Sequence, residues 1–307
     1  MRVVQAGSFA RAARSLGLSP SAISKLMGRL EGRLGTRLIV RTTRTLRLTP
    51  EGEAYYGRAL KVVADIDETE RMVAHGGVAP PSGKLRVNAS IPFAVRHIVP
   101  LVPAFLATYP LVELDLFLSD GLVDLIEDRS DVAIRVGTLR DSSLKARKLC
   151  EAPYVVVASP KYLKRHGEPE APSDLLRHNC LAFSLKPTLN EWPFLEPATR
   201  SAKPMPIRGN IQANNGETLR RLAIDGLGIA RLALFHVHED IERGGLVPIL
   251  DRFNPGDLQL VHAVFVGHEH LATRIRAFVE FLADRIPRTM ASRGDTKQLR
   301  MRRAGAR

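Results

Sequence analysis

Gly7-Ser8-Phe9-Ala10-Arg11-Ala12-Ala13-Arg14-Ser15-Leu16-Gly17-Leu18-Ser19-Pro20-Ser21-Ala22-Ile23-Ser24-Lys25-Leu26-Met27-Gly28-Arg29-Leu30 reads as helix, turn, helix. Ser8 is an N-cap residue, its hydroxyl suited to an orphan amide of the next turn. Phe9, Ala12, Ala13 and Leu16 fall on one helical face. Gly17 tolerates the left-handed conformation that stops a helix, and Leu18 is expected to pack in the turn. Ser19 caps the second helix and Pro20 takes its first position, where a missing N–H costs nothing. Ile23, Leu26, Met27, Leu30 and Leu34 form an apolar stripe, and Ser21, Ser24, Lys25, Arg29 and Arg33 the opposite face. After Gly35, the segment Arg37–Thr49 holds two β-type stretches around a Thr/Arg-rich tip, Arg41-Thr42-Thr43-Arg44, as a winged hairpin would.

Outward from this block, charge gives the next signal. The chain of 307 residues carries a formal net charge of +13. Residues 1–50 hold ten Lys/Arg and one acid (+9), residues 287–307 seven and one (+6), and the remainder 28 and 30 (−2). A basic block of domain size on a near-neutral body points to a polyanion. A winged helix-turn-helix would place the second helix in the major groove of double-stranded DNA, N-terminal residues at base edges. Arg41 and Arg44 would sit on phosphates or in the flanking minor groove.

The pattern Ala6-Gly7-Ser8-Phe9-x-x-Ala12-Ala13-x-x-Leu16, Leu18-Ser19-x-x-Ala22-Ile23-Ser24-Lys25, Leu30-Glu31-x-x-Leu34-Gly35-x-x-Leu38, Arg41-Thr42-Thr43-Arg44 and Leu48-Thr49-x-x-Gly52 resembles LysR-type transcriptional regulators. The resemblance implies base- and phosphate-reading roles for Ser19, Pro20, Ser21, Ser24 and Lys25, with Arg29, Arg41, Thr42, Thr43 and Arg44 beside them on the DNA-binding surface. The family commonly has Gln-Pro where this chain has Pro20-Ser21. Its pattern starts further upstream, so the first helix is expected to be truncated, with Val3 and Val4 remaining.

Thr49 and Pro50 open a third long helix reaching about His75, roughly 39 Å at 1.5 Å per residue. Tyr56, Val63 and Glu70 recur at seven, as do Ala59, Ile66 and Val73. The helix either forms a coiled-coil seam between subunits, giving a homodimer or homotetramer, or lies on its own domain. Gly76-Gly77 and Pro80-Pro81-Ser82-Gly83 read as a hinge.

Strand and helix segments alternate over residues 84–286, predicting an α/β domain with a mostly parallel sheet and helices on both faces. Expected strands are Leu85–Ala89, Leu114–Leu118, Val132–Val136, Tyr154–Ala158, Leu181–Phe183, Ile207–Ala213, one after Gly226, and Val261–Val266. Expected helices are 95–109, 122–127, 161–166, 173–177, 217–225, 236–242 and 271–286. Leu101-x-x-Phe105-x-x-x-Tyr109-Pro110, Asp131–Gly137, Ala158-Ser159-Pro160-x-Tyr162-Leu163 and Gly226-Leu227-Gly228-Ile229-Ala230 are similar to the LysR effector domain. That resemblance implies a type 2 periplasmic-binding-protein-like fold of two α/β lobes: lobe I over 84–150 and 265–286, lobe II over 151–264. The other expected divisions are 1–49 for DNA binding, 50–83 for linker and hinge, and 287–307 for a disordered basic tail.

Ligand clefts of such folds lie at strand ends facing helix N-termini, where backbone amides favour an anion. Ser90, Ile91, Pro92, Ser119, Arg135, Val136, Asn214 and Asn215 stand at such junctions, and the resemblance makes them line a pocket for a small-molecule co-inducer. Ser90 and Asn215 also serve as plain N-caps. Arg231, on an apolar strand, either escapes to solvent or meets a carboxylate, the ligand's included; on that reading Arg231→Ala abolishes the response to an acid.

No cofactor, metal or catalytic motif is expected. His236-x-His238 and His268-x-His270 lack a completing ligand set. Cys150 and Cys180 read as buried, inert thiols. No stretch of membrane-spanning length and no signal-peptide build are read, so the expected setting is the cytoplasm, with no membrane partner. RNA polymerase is a further partner the family implies. The rival readings are an architectural DNA binder without a working effector site, and a solute-binding protein.

Overall fold

A computed structural model describes residues 1–41, 46–74, 80–120, 130–137, 139, 144–185, 187–266 and 271–291. The chain divides into two compact units, Met1–Ala79 and Pro80–Arg307.

The first unit runs α1 (Arg2–Ala6), α2 (Phe9–Ser15), α3 (Pro20–Leu34), β1 (Ile39–Arg41), β2 (Leu46–Leu48) and α4 (Pro50–Ala74). Val3, Ala12, Ala13, Ile23, Leu38 and Ile39 form its buried core, with Phe9, Met27 and Leu30 packed on it. The turn after α2 is closed by Gly17 N–H to the Arg14 carbonyl and Leu18 N–H to the Ala13 carbonyl, with Gly17 at φ 66°. This paired closure is a Schellman motif. Ser19 Oγ accepts from Ala22 N–H at 3.2 Å. Ser8 holds the N-cap position of α2 but makes no side-chain cap bond, contrary to expectation. The apolar faces are also narrower than read: Leu16, Leu18, Leu26 and Leu34 are exposed, because two short helices and a two-stranded wing cannot cover a full stripe.

β1 and β2 pair antiparallel as Ile39↔Leu48, Val40↔Arg47 and Arg41↔Leu46. Thr49 clasps the wing to α4: its hydroxyl donates to the Arg37 carbonyl at 2.7 Å and accepts from Gly52 N–H at 2.9 Å. A Cβ at Gly52 would lie 1.9 Å from the Leu38 carbonyl oxygen, so only glycine fits there.

The second unit contains β3 (Gly83–Ala89), α5 (Ile91–Phe93), a π turn Ala94–Ile98, a 3-10 turn Val99–Leu101, α6 (Val102–Thr108), β4 (Val112–Leu118), β5 (Val132–Val136), β6 (Leu144–Ala158), α7 (Pro160–His166), β7 (Ala182–Phe183), β8 (Glu191–Leu195), β9 (Ala202–Pro206), β10 (Gln212–Ala213), α8 (Gly216–Ile224), β11 (Ala230–Ala233), α9 (Leu234–Glu242), β12 (Val247–Ile249), β13 (Leu258–Val266) and α10 (Thr273–Ala291). Its main sheet has the order β11-β6-β13-β5-β3-β4, with β12 also on β6.

The expected mostly parallel sheet is corrected. Among the described residues of the main sheet only β3 pairs parallel, with β4 and β5; β7 and β10 pair parallel in a separate two-stranded sheet. β13 runs antiparallel to β5 and β6, and β11 and β12 run antiparallel to β6. The cause is β6, a 15-residue strand that carries the chain from one half to the other, while β13 brings it back. Outgoing and returning strands of this kind run antiparallel where they pair.

Other differences are local. The helix read from Val95 begins at Ile91 and changes type three times, consistent with Pro100 and Pro103 removing backbone donors. The strand read over Ile207–Ala213 is only Gln212–Ala213. A hairpin, β8–β9, went unread because Pro193, Pro204 and Pro206 argue against a strand; Pro193 and Pro204 face each other in a ribbon of two strands, each with a free edge. Gly83, read as hinge, opens β3, and α10 continues through Pro287 to Ala291.

Against the expectation of no membrane-length stretch, Ile91–Thr108 is long and apolar enough by composition. Its Phe93, Ala94, Ile98 and Phe105 are buried in the core, Arg96 on it is ion-paired, and Val95 and Val99 are exposed; one face of it packs on the core. The segment 122–127, the Gly76-Gly77 hinge, Thr42, Thr43, Arg44, His268, His270 and the tail from residue 292 lie outside the described residues.

Candidate nucleic-acid interface and ligand cleft

In the first unit, Ser21, Lys25, Arg29 and Arg33 stand four apart on α3 and all are exposed. Positions at i and i+4 lie one above the other, so the helix presents a single hydroxyl-to-cation row. Ser19 and Pro20 are exposed at its start, while Ser24 is half-buried at the edge of the row. Glu31, the one acid within residues 1–50, does not offset this charge at the surface. Its Oε1 accepts from Leu38 N–H at 2.8 Å and Ile39 N–H at 3.1 Å, tying α3 to the wing. Arg41 ends β1, its backbone paired with Leu46; its side chain lies outside the described residues.

In the second unit, a cleft of about 60 Å³ is lined by Ser90, Pro92, Asp120, Val136, Tyr154, Phe183, Leu185, Leu189, Asn214, Asn215, Gly216, Leu232, Ala233, His236 and Gln259. Ser90, Pro92, Val136, Asn214 and Asn215 of the sequence reading meet here. Ile91, Ser119 and Arg135 do not line it. Strand alternation explains Arg135: Val136 faces the cleft, so Arg135 points away and donates to Asn88 Oδ1 at 2.5 Å. Ile91 contributes its amide, donated to Asp120 Oδ1 at 3.2 Å, and Ser119 donates its own amide to the Ala89 carbonyl. Asn215 caps α8, accepting from Thr218 N–H at 2.9 Å, and also lines the cleft; the two readings of that residue coexist.

Asp120, Tyr154, His236 and Gln259 were missed. Tyr154, His236 and Gln259 sit on β6, α9 and β13, and Asp120 follows β4; they reach the cleft only through non-local pairing, so no local spacing marks them. Asp120 Oδ1 accepts the Ser90 hydroxyl at 2.6 Å. Asp120 Oδ2, His236 Nδ1 and Gln259 Oε1 are buried polar atoms without a protein partner. Leaving such an atom unmatched costs about 1–3 kcal/mol, so the three atoms in this cleft call for hydrogen-bond partners from outside the chain. Burial, assisted by His97, Arg96 and Arg220, pushes the His236 imidazole down to about 3, so it is neutral.

Arg231 does not serve the cleft. It is 7% exposed, and its Nη2 lies 2.5 Å from both oxygens of Asp257, with the guanidinium 4.2 Å from the Tyr154 ring centroid. Of the two sequence alternatives, the structure takes the carboxylate, which is that of Asp257 and not a ligand's. Arg96 joins the Ile91–Thr108 helix to α8 and α9 through Glu217 at 3.6 Å and Glu239 at 3.7 Å. Cys150 and Cys180 are free and buried, and burial pushes both thiols up to about 12. Among the described residues no group of three His, Cys, Asp or Glu gathers as metal ligands.

Comparison with known proteins assigns both units. The helix-turn-helix pattern "Bacterial regulatory helix-turn-helix protein, lysR family" matches residues 1–53, and "LysR substrate binding domain" matches residues 79–287. The chain belongs to the LysR-type transcriptional regulators. The HTH-type transcriptional regulator CrgA of Neisseria meningitidis is 38% identical over 288 residues, covering 93% of this chain and 94% of CrgA. The HTH-type transcriptional activator AaeR of Escherichia coli is 35% identical over 284 residues, 92% of this chain and 90% of AaeR. The solved structure of CrgA superimposes with a TM-score of 0.63, covering 93% of this chain and 96% of that one. This LysR-type regulator is therefore a DNA-binding transcriptional regulator with a small-molecule-binding domain, and not an enzyme.

Proposed function

We propose that the regulator reads operator DNA through Ser19, Pro20, Ser21, Ser24, Lys25 and Arg29 of the α3 region, with Arg41, Thr42, Thr43 and Arg44 of the wing on flanking phosphates, and that a small effector in the second unit's cleft sets how tightly or where it binds. The division into a DNA-binding domain at 1–49, a linker at 50–83 and lobes at 84–150 with 265–286 and at 151–264 belongs to this reading. So does a homodimer or homotetramer joined by α4, whose Val62, Val63 and Ile66 are exposed as a seam would require. The setting is the cytoplasm, and RNA polymerase is the partner through which such a regulator acts when it activates.

The observation that carries the proposal is the cleft: Ser90, Val136, Asn214 and Asn215 converge from both halves of the effector domain around partnerless polar atoms. Control by a ligand requires that it bind two states of the protein with different affinity. The test uses full-length protein and the DNA fragments it selects from its source genome. Lys25→Ala is expected to weaken DNA binding and leave ligand-induced stabilisation intact. Leu189→Trp, which fills the cleft, is expected to keep DNA binding and lose the ligand response. Loss of both functions in both variants would contradict the division of labour.

A further inference from the structure

We propose that the cleft selects a small ligand bearing a protonated amine on a short apolar body, and turns carboxylates away. This rests on reading the cleft as the effector site and names what it takes. Asp120 is the one charged side chain among the described lining residues. It stands at the start of the Ile91–Thr108 helix, where its Oδ1 accepts the Ser90 hydroxyl and the Ile91 amide. The helix dipole there already has its anion, and that anion is the protein's own. The other helix start at the cleft, α8, carries Glu217 in its first turn. A ligand carboxylate would meet the Asp120 carboxylate at the first of these helix starts.

The nearby cations are committed elsewhere. Arg231 is held by Asp257, Arg220 by Asp240 and Glu217, and Arg96 by Glu217 and Glu239. What the cleft offers instead are acceptors. Asp120 Oδ2 is buried and has no protein partner. Gln259 Oε1 is likewise buried and without a protein partner, and it accepts. Gln259 is 8% exposed and His236 5%, so both lie in low dielectric, and a neutral imidazole keeps one nitrogen able to accept. Two carbonyl-type oxygens and an imidazole nitrogen suit the three donors of an ammonium group. Phe183, Leu189, Leu232 and Ala233 supply apolar wall.

The experiment is thermal unfolding of the full chain with matched probes, benzylamine against benzoate and butylamine against butyrate, at equal concentration, ionic strength and pH. The amines are expected to raise the Tm of the wild type by more than their carboxylate partners, by mass action on the folded state. The difference is expected to vanish in Asp120→Asn, which keeps an acceptor for Ile91 N–H but loses the charge. Gln259→Met, removing the second acceptor without touching the helix start, is expected to weaken amine binding about tenfold, and stands in if Asp120→Asn is unstable. Equal shifts, a carboxylate-selective shift, an amine shift indifferent to both substitutions, or no shift from any probe each overturn the ligand class. An amine shift that persists in Leu189→Trp overturns the effector-cleft reading itself, separating the two failures.

Discussion

Arg231 shows how far a single residue can be read. A cation on an apolar strand is an anomaly visible in sequence, because burying charge unpaired is costly. Its partner was invisible: Asp257 lies 26 positions on, before the strand that returns between the lobes. Because Asp257 keeps 38% of its side chain exposed, removing the arginine leaves a carboxylate that water can reach. Arg231→Ala is therefore expected to cost about 2 kcal/mol, short of a fully buried broken pair, in urea unfolding. With Asp257→Ala the double-mutant cycle should show coupling of about 1 kcal/mol; strict additivity would refute the pairing. His236 supplies a pH dependence. In the unfolded chain it gains a proton below its ordinary value of 6.5, whereas the folded chain keeps it neutral to about 3. Its contribution to stability is whole above pH 6.5 and drains as pH falls toward 3, by about 2 kcal/mol at pH 5. His178 and His262, both lowered chiefly by burial, act in the same direction. Comparing urea midpoints at pH 7.5 and 5, His236→Gln should lose about 2 kcal/mol less than the wild type on acidification; equal losses would contradict the burial of a neutral imidazole.

Elements whose signals are local were legible, and those made by distant pairing were not. Ser19-Pro20 before an apolar period and Gly35 after it delimit α3 to the residue. Val132–Val136 is a short, largely apolar run between Asp131 and Gly137, and β5 spans those five residues. The parallel reading of the sheet failed because strand direction depends on which strands meet, and β6 and β13 are separated by the whole of one lobe. The cleft divides the same way. Ser90 and Asn215 announce themselves as caps at strand-to-helix junctions, but Asp120 and Gln259 reach the cleft only once the sheet is assembled. Capping also yields a discriminating test. Ser19 bonds Ala22 N–H, and Ser8 occupies an N-cap position with no such bond. Ser19→Ala is expected to cost about 1 kcal/mol in thermal unfolding of the first unit and to weaken DNA binding, whereas Ser8→Ala should be near neutral. Equal losses from the two serines would show that composition at the cap, and not the observed bond, sets helix stability.

At the scale of the molecule, the net charge of +13 is unevenly held, with +9 on residues 1–50, −2 across residues 51–286 and +6 on residues 287–307. Only the first of these belongs to a shape that fits a groove, and within it Glu31 is turned inward to the wing amides, leaving the Lys25–Arg29–Arg33 row uncompensated. Affinity for duplex DNA should then fall steeply with salt, because each phosphate neutralised releases bound counterions. Lys25→Ala and Arg29→Ala are each expected to lower the slope of log affinity against log salt by about one. Arg177→Ala provides the contrast: that side chain is 81% exposed, is equally charged, and belongs to the effector domain. If attraction were a property of net charge alone, all three substitutions would lower affinity alike. If the row on α3 makes the contacts, the first two change the slope and the third leaves it where it was. Binding titrations of the full chain across a salt series decide between them, and an unchanged slope in both α3 variants would remove Lys25 and Arg29 from the interface.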